Sequence, residues 1–497
     1  MPGLRRALLW ASASKYVLTV VNLLTTAIVA RLLTPEEFGV SVLGMAVFGM
    51  AEALRELGGG NYLIQRKELG PDQIRSTVTI SFVVTLFITS GVVLLAGPLA
   101  RFYGRPELTN YLLLIAPWFA MGPFVYPVLA LMSRDMEFGK VALITVVTSL
   151  TNSALVIVLA IEGFSYMSFA WATVGSGVIG MLIGLYLWSD LSIFRPLLSK
   201  WRDVLAFSVY DSATSILLRL WENIPYFILA KFLTMGAVGL YQRTFSVCQF
   251  PDRVIMAGVG AVALPAFSQQ SRRGEDLKVG YISAVSHITG LQWPALIVLA
   301  VLAHPVVVVL LGSQWLETVP LIRILCVALL FNFPTGLNYP VLVAAGAIRF
   351  VPLLVLVQGL VLVGILTLAA QYGLEATIVS MLVIMPISVF SSLLFVRRQI
   401  HFTWLELALA TRKSFAITFF SAVGPVAVVI ASGGHGAMSI KAAAIAAILA
   451  GFGWIGGIWL TGHPLWDELQ RARLKFAERY AINWPLTFGK KIRPNAN

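Results

Sequence analysis

Ala30-Arg31-Leu32-Leu33-Thr34 returns two hundred positions later as Ala230-Lys231-Phe232-Leu233-Thr234, and Gly39 returns as Gly239, each time where two long apolar runs meet. The correspondence continues outward. Ala96-Gly97-Pro98 and Gly104 have counterparts in Ala303-His304-Pro305 and Gly312, and Gly163 has one in Gly373. The offset drifts from about 200 to about 210, as short loop insertions would produce, and duplicated helical bundles are a common architecture of membrane transporters. The chain reads as a duplicated membrane protein.

Composition points the same way. With 58% hydrophobic and 12% charged residues among 497, a water-soluble globule has no room to hide the apolar side chains. Runs such as Ile80 to Ala96 and Ala295 to Ala303 are apolar on nearly every side, which suits helices; a membrane barrel needs strict alternation. Cutting at Pro, Gly and charge clusters predicts an all-α integral membrane protein of about fourteen transmembrane helices: 9–32, 40–62, 75–97, 109–132, 140–161 and 166–188; then 205–231, 238–266, 280–310, 318–345, 350–370 and 374–396; then 412–432 and 438–461. The domains follow as a first lobe over 1–188, a polar linker over 189–204, a second lobe over 205–397, two further helices within 398–461 and a basic tail over 462–497. The tail's Leu465, Leu469, Ala472, Phe476 and Tyr480 recur at helical spacing among Arg471, Arg473, Lys475 and Arg479; a helix lying on the inner leaflet and a solubilising tail both fit.

Lys and Arg accumulate in cytoplasmic loops. Placing the first residues inside puts Arg5, Arg6, Arg66, Lys67, Arg134, Lys140, Arg195, Arg397, Arg398 and the tail on that side, and leaves Arg31, Arg101, Arg105 and Lys231 opposite. Both termini are then cytoplasmic. The net charge of +13 is spread over loops facing anionic lipid, so nucleic acid is not expected as a partner. The first apolar run, from about Leu8 to Leu33, is long for a signal core and carries the repeated word, so it is taken as a span. Cys248 and Cys326 fall within spans and suggest neither a disulfide framework nor a metal site; no cofactor is expected.

Ionisable groups at bilayer depth are the functional candidates, because a charge facing lipid at mid-helix costs about 3 kcal/mol or more. They gather in the first two spans of each half: Lys15 and Asn22; Glu52, Arg55 and Glu56; Arg219, Glu222 and Asn223; Arg243, Asp252 and Arg253. Two arrangements are open. Arg219 with Glu222, and Glu52 with Arg55, stand three residues apart and can pair locally, and Lys15 can reach the interface along its own stem. Alternatively the five cations Lys15, Arg55, Arg219, Arg243 and Arg253 line a wet cavity as substrate-binding groups, with Glu52, Glu56, Glu222 and Asp252 as pairing or coupling acids. The second arrangement suits an anion, since Arg forks and Lys charges meet phosphate oxygens well in a low dielectric. Pro225, Pro251, Pro294 and Pro334 are candidate hinges.

The stretch Ala30 to Gly39, with Pro35, Glu36, Glu37 and Phe38, followed by Leu57-Gly58-Gly59-Gly60, Ile64-Gln65-Arg66, Phe102-Tyr103 and Pro106-Glu107-Leu108, resembles the polysaccharide transporter branch of the multidrug/oligosaccharidyl-lipid/polysaccharide flippase superfamily, the Wzx-like lipopolysaccharide and exopolysaccharide exporters of bacteria. The resemblance implies two six-helix lobes forming a V around a central cavity plus two extra helices. It implies as substrate an oligosaccharide on a polyprenyl pyrophosphate, flipped across the inner membrane by alternating access, with polysaccharide polymerase and chain-length regulator proteins as possible partners. It places cavity cations on the first, second and eighth helices, where Lys15, Arg55 and Arg253 stand; Arg219 has no counterpart in its motifs. Four other classes are weighed against this. A cation-coupled drug antiporter would show net acidic groups in the cavity, a glycan polymerase or ligase a sizeable outer loop, and an ATP-driven pump a phosphate loop that the sequence lacks. A silent scaffold for polysaccharide assembly is the fourth.

Overall fold

The computed structural model describes residues 18–347, 351–434 and 438–480, and every regular element among them is helical. In the first half, α1 (Leu18–Leu32) is followed by α2 (Pro35–Arg55), a short α3 (Gly60–Gln65), α4 (Pro71–Tyr103), α5 (Glu107–Arg134), α6 (Phe138–Ile161) and α7 (Met167–Leu187). The second half has α8 (Trp201–Phe232), α9 (Met235–Cys248), α10 (Phe250–Arg272), α11 (Leu277–Val301), α12 (Ala303–Leu310), α13 (Thr318–Leu329), α14 (Thr335–Ala344), α15 (Val351–Ala370) and α16 (Leu374–Ile400). Then come α17 (Trp404–Ala431), α18 (Ile440–Thr461) and α19 (Pro464–Tyr480).

Twelve helical stretches among the described residues are long and apolar enough to cross a membrane, α13 and α14 counting together as one. The expected fourteen also counted α1 and α8. α1, Leu18–Leu32, is a shorter apolar helix, and residues 9–17 of the expected span lie outside the described residues. α8 is long enough at 32 residues, but Arg202, Asp203, Asp211, Arg219, Glu222 and Lys231 make it too polar. The expected eighth span is two helices meeting at Gln249, just before Pro251, and the tenth is broken between Leu329 and Thr335, beside Pro334; α8 and α11 run unbroken through Pro225 and Pro294. The expected linker is closely seated: the Leu197 N–H donates to Thr79 Oγ1 at 2.9 Å and the Lys200 N–H to Ser76 Oγ at 3.2 Å.

The repeated word is where the halves meet. Thr34 and Thr234 cap α2 and α9, each hydroxyl accepting the backbone N–H three residues on, and Glu37 closes the box on Thr34 with Pro35 in the first turn. The two helices then cross so closely that a Cβ on Gly39 would overlap the Met235 carbonyl oxygen, and one on Gly239 the Pro35 carbonyl oxygen. Only glycine lets two helix backbones approach in this way. A continuous apolar core surrounds the crossing, with Leu43, Tyr111, Phe119, Val238, Tyr241, Leu325 and others fully or nearly buried.

At the other end of the chain, α17 packs along α11 and α18, and His463 ties the tail to them. Its Nε2 lies 3.1 Å from Ser286 Oγ, its Nδ1 accepts the Leu465 N–H at 3.2 Å, and Lys413 Nζ donates to the Gly462 carbonyl at 2.7 Å. Burial, with His287 and Lys413 nearby, pushes the His463 imidazole down to about 4 from the usual 6.5.

Candidate functional site

The polar groups predicted at bilayer depth separate into three environments. In the first half, Glu52 and Arg55 form an ion pair of 3.5 Å on the last turn of α2, and the Arg55 guanidinium lies 3.3 Å above the centre of the Tyr126 ring from α5. Its side chain is only 18% exposed, and its Nε finds no partner. Beside it opens a cavity of about 220 Å³, lined among others by Arg55, Glu56, Asn61, Thr77, Ser81 and Tyr126. Asn61 donates to Asp211 of α8 at 2.8 Å, so α8 closes against the first half here.

On α8 itself, Arg219 and Glu222 pair at 3.2 Å, and Asn223 donates to the Arg219 carbonyl at 2.8 Å. This pair is open, with the two side chains 56% and 63% exposed. Gly49 of α2 makes room for the Asn223 amide. In the second half, Arg253 is exposed and reaches Gln249 Oε1 at 3.3 Å, while Asp252 beside it accepts a hydrogen bond from Gln292 of α11 at 2.9 Å. Tyr226 of α8 packs edge-on against Tyr241 of α9, with ring centres 6.1 Å apart. Arg219 and Glu222 stand in the middle of α8 and are exposed there, where a charge is better matched by water than by lipid.

Arg243 is elsewhere. It is 4% exposed, with its guanidinium 3.7 Å above the Phe38 ring and 5.5 Å from the Trp315 ring. The two rings supply the electron-rich faces that a buried cation without an acid partner needs. It therefore belongs to the contact between the halves rather than to an open wall. Asn22 is exposed on α1, and Lys15 lies outside the described residues.

The end carrying Thr34 and Thr234 is held shut by cross-half bonds that the sequence reading missed. Arg31 donates to the Val309 carbonyl from the first half to the second, and Lys231 donates to the Phe102 carbonyl at 3.0 Å in the reverse sense. Glu36 accepts the Gly236 N–H at 2.8 Å and pairs with Arg105 at 3.7 Å, so one acid of the first repeat completes the cap of the second repeat's helix. Trp315 Nε1 donates to the Ala30 carbonyl at 2.6 Å, and Gln314 to the Leu33 carbonyl at 2.7 Å. Tyr126, Asn61, Asp211 and Gln292 were also missed. For Gln292 a signal exists: it is a neutral amide in the middle of an apolar run, as informative as a charge at that depth.

The described residues thus form two helical halves bonded to each other at the end carrying Thr34 and Thr234, with Arg219 and Arg253 exposed on α8 and α10. The fold matches that of a solved structure described as "Lipid II flippase MurJ, inward closed conformation", with a TM-score of 0.75, 10% sequence identity, and coverage of 93% of this chain and 99% of that one. The family model described as "Polysaccharide biosynthesis protein" matches residues 28–320, and the chain belongs to that family. Among curated relatives, the lipopolysaccharide biosynthesis protein WzxC of Escherichia coli (strain K12) is 23% identical over 328 residues, 64% of this chain and 65% of that protein. The succinoglycan biosynthesis transport protein ExoT of Rhizobium meliloti (strain 1021) is 25% identical over 350 residues, 69% of each. The chain thus aligns with about two thirds of the length of these relatives.

Proposed function

We propose that this protein is a flippase that carries a polyprenyl-pyrophosphate-linked oligosaccharide across the bacterial inner membrane for lipopolysaccharide or exopolysaccharide synthesis. The observation that carries the reading is a set of three cations on α2, α8 and α10: Arg55 lining a cavity, and Arg219 and Arg253 exposed. Arginine forks bind phosphate oxygens by two parallel bonds, and the low dielectric of a membrane cavity strengthens them. The lipid tail stays in the bilayer while the pyrophosphate and sugars cross in water.

The basic loops lie on the cytoplasmic side in this reading, with both termini, and the Thr34 end is periplasmic. The substrate enters from the cytoplasmic leaflet, and breaking the Arg31, Glu36 and Lys231 contacts lets it leave. The residues 1–188 and 205–397 act as the two moving lobes, and the helices of 398–461 ride with the second. The substrate is moved without chemical change, and polymerase and chain-length regulator proteins act on it afterwards. The family membership and the names of the relatives support this. A cation-binding drug antiporter is disfavoured because Glu52 and Glu222 are already paired with arginines.

The test is a strain lacking the gene, complemented with the wild type or with Arg219→Ala. Loss of surface polymer, with lipid-linked repeat units held in the cytoplasmic leaflet and no rescue by the variant, is the expected result. Normal polymer with changed drug tolerance overturns it in favour of the antiporter, and unpolymerised units on the periplasmic side would indicate a polymerase.

A further inference from the structure

The acids of the polar spans do not keep the same company. Glu52 and Glu222 have arginine partners, whereas Asp252 makes no ion pair among the described residues. Its half-buried carboxylate accepts a hydrogen bond from Gln292 Nε2. Gln292 is 1% exposed, and its other terminal atom, Oε1, is buried without a partner.

An ionised carboxylate has no proton to give, so it shares only the N–H bond with a side-chain amide. A protonated carboxyl shares two, because the amide N–H donates to the acid carbonyl while the acid O–H donates to the amide oxygen. Ionisation at this position therefore leaves two faults, a half-buried negative charge without a counter-charge and an orphaned acceptor. Protonation removes both. We propose that Asp252 is the proton-binding residue of this transporter, held in its protonated form by Gln292 while the Thr34 end is sealed, and deprotonated when α10 moves against α11.

The surroundings supply no substitute for the proton. α10 packs on α9, α11 and α14. From α9, Arg243 is held by Phe38 and Trp315; from α11, Lys278 pairs with Glu406, and His287 bonds to the Ser283 carbonyl; from α14, Asn338 bonds to Tyr281 and Ser392, and Tyr339 is exposed. On α10 itself Arg253 turns to Gln249, and Glu468 of α19 lines a separate apolar groove with Phe267 and His287. A hard cation collects about six or more oxygens, and this pair offers one carboxylate and one amide oxygen. The break between α9 and α10 at Gln249, three residues before Asp252, gives α10 a point on which to pivot.

This inference rests on the flippase reading for what the proton drives, so its test separates the two. The full chain in lipid nanodiscs is titrated from about pH 5 to about pH 9 by infrared difference spectroscopy, without substrate. The expected result is a protonated-carboxyl C=O band that vanishes on titration, is missing in Asp252→Asn, and in Gln292→Leu titrates at about tenfold higher proton concentration. A band unchanged in Asp252→Asn, or none in the wild type, overturns the proposal. If Asp252→Asn does not fold, an unmoved band in Gln292→Leu overturns it equally. In proteoliposomes holding lipid-linked oligosaccharide, a proton gradient should accelerate the wild type and not Asp252→Asn, whereas acceleration by a sodium gradient alone overturns the assignment. If the wild type moves no lipid-linked oligosaccharide at all, the flippase reading fails while the infrared band still decides Asp252.

Discussion

Glu52 with Arg55 and Asp252 with Arg253 occupy corresponding places in the two repeats, close to two hundred residues apart, yet the structure uses them differently. In the first, acid and base satisfy each other and a tyrosine ring covers the base. In the second they part, the acid to an amide on α11 and the base toward water. Duplication fixes where a charge stands, and the neighbouring helix decides what it does. A tyrosine at the first site shields a permanent ion pair; a glutamine at the second leaves room for a proton.

The largest effect is expected where the repeats are alike. Gly39→Val and Gly239→Val each drive a side chain into a backbone carbonyl of the partner helix, so each should cost about 3 kcal/mol or more and lower the apparent melting temperature in detergent, with surface polymer lost. A tolerated Gly239→Val beside a damaging Gly39→Val would show that the contact is not shared evenly.

The arginines should then divide the repeats. Arg55→Ala strips Glu52 of its partner and Tyr126 of its cation, and should cost about 1–2 kcal/mol of stability, whereas Arg253→Ala should change stability by no more than about 0.5 kcal/mol. Both should reduce flipping at least about tenfold if the cations hold phosphate. Comparing denaturation with transport in reconstituted vesicles checks both halves of that statement.

A smaller change is expected at the sealed end. Arg31→Ala and Lys231→Ala each remove one bond between the halves, worth about 1 kcal/mol, and should shift the sealed-to-open ratio about fivefold. Spin-label distances between the loops after Gly104 and Gly312 read this shift, and a difference between the two variants would reveal which half yields first.

A pH-dependent effect concerns the tail, which docks on the second half. The depressed His463 value means that the docked state binds fewer protons than the released one between about pH 6.5 and about pH 4. Docking is therefore complete above about pH 6.5 and weakens as the pH falls toward 4. A mobility label on α19 should loosen over that window in the wild type and show no such step in His463→Asn.

The spans, the duplication and the places of the charges were legible because each depends on local spacing: apolar run length against bilayer thickness, and a word repeated at one offset. The Arg219–Glu222 and Glu52–Arg55 pairs were legible for the same reason, since three residues bring side chains together on one helix face. α8 was the least legible span, because six charged residues interrupt its apolar run. What the sequence by itself determined is thus a helical, duplicated membrane protein with cations at bilayer depth. Only the tertiary structure decided that Arg243 lies between Phe38 and Trp315, that Glu36 caps a helix two hundred residues away, and that Asp252 meets an amide forty residues on. Such partners are chosen by how helices cross, and helix crossing leaves no period in the sequence.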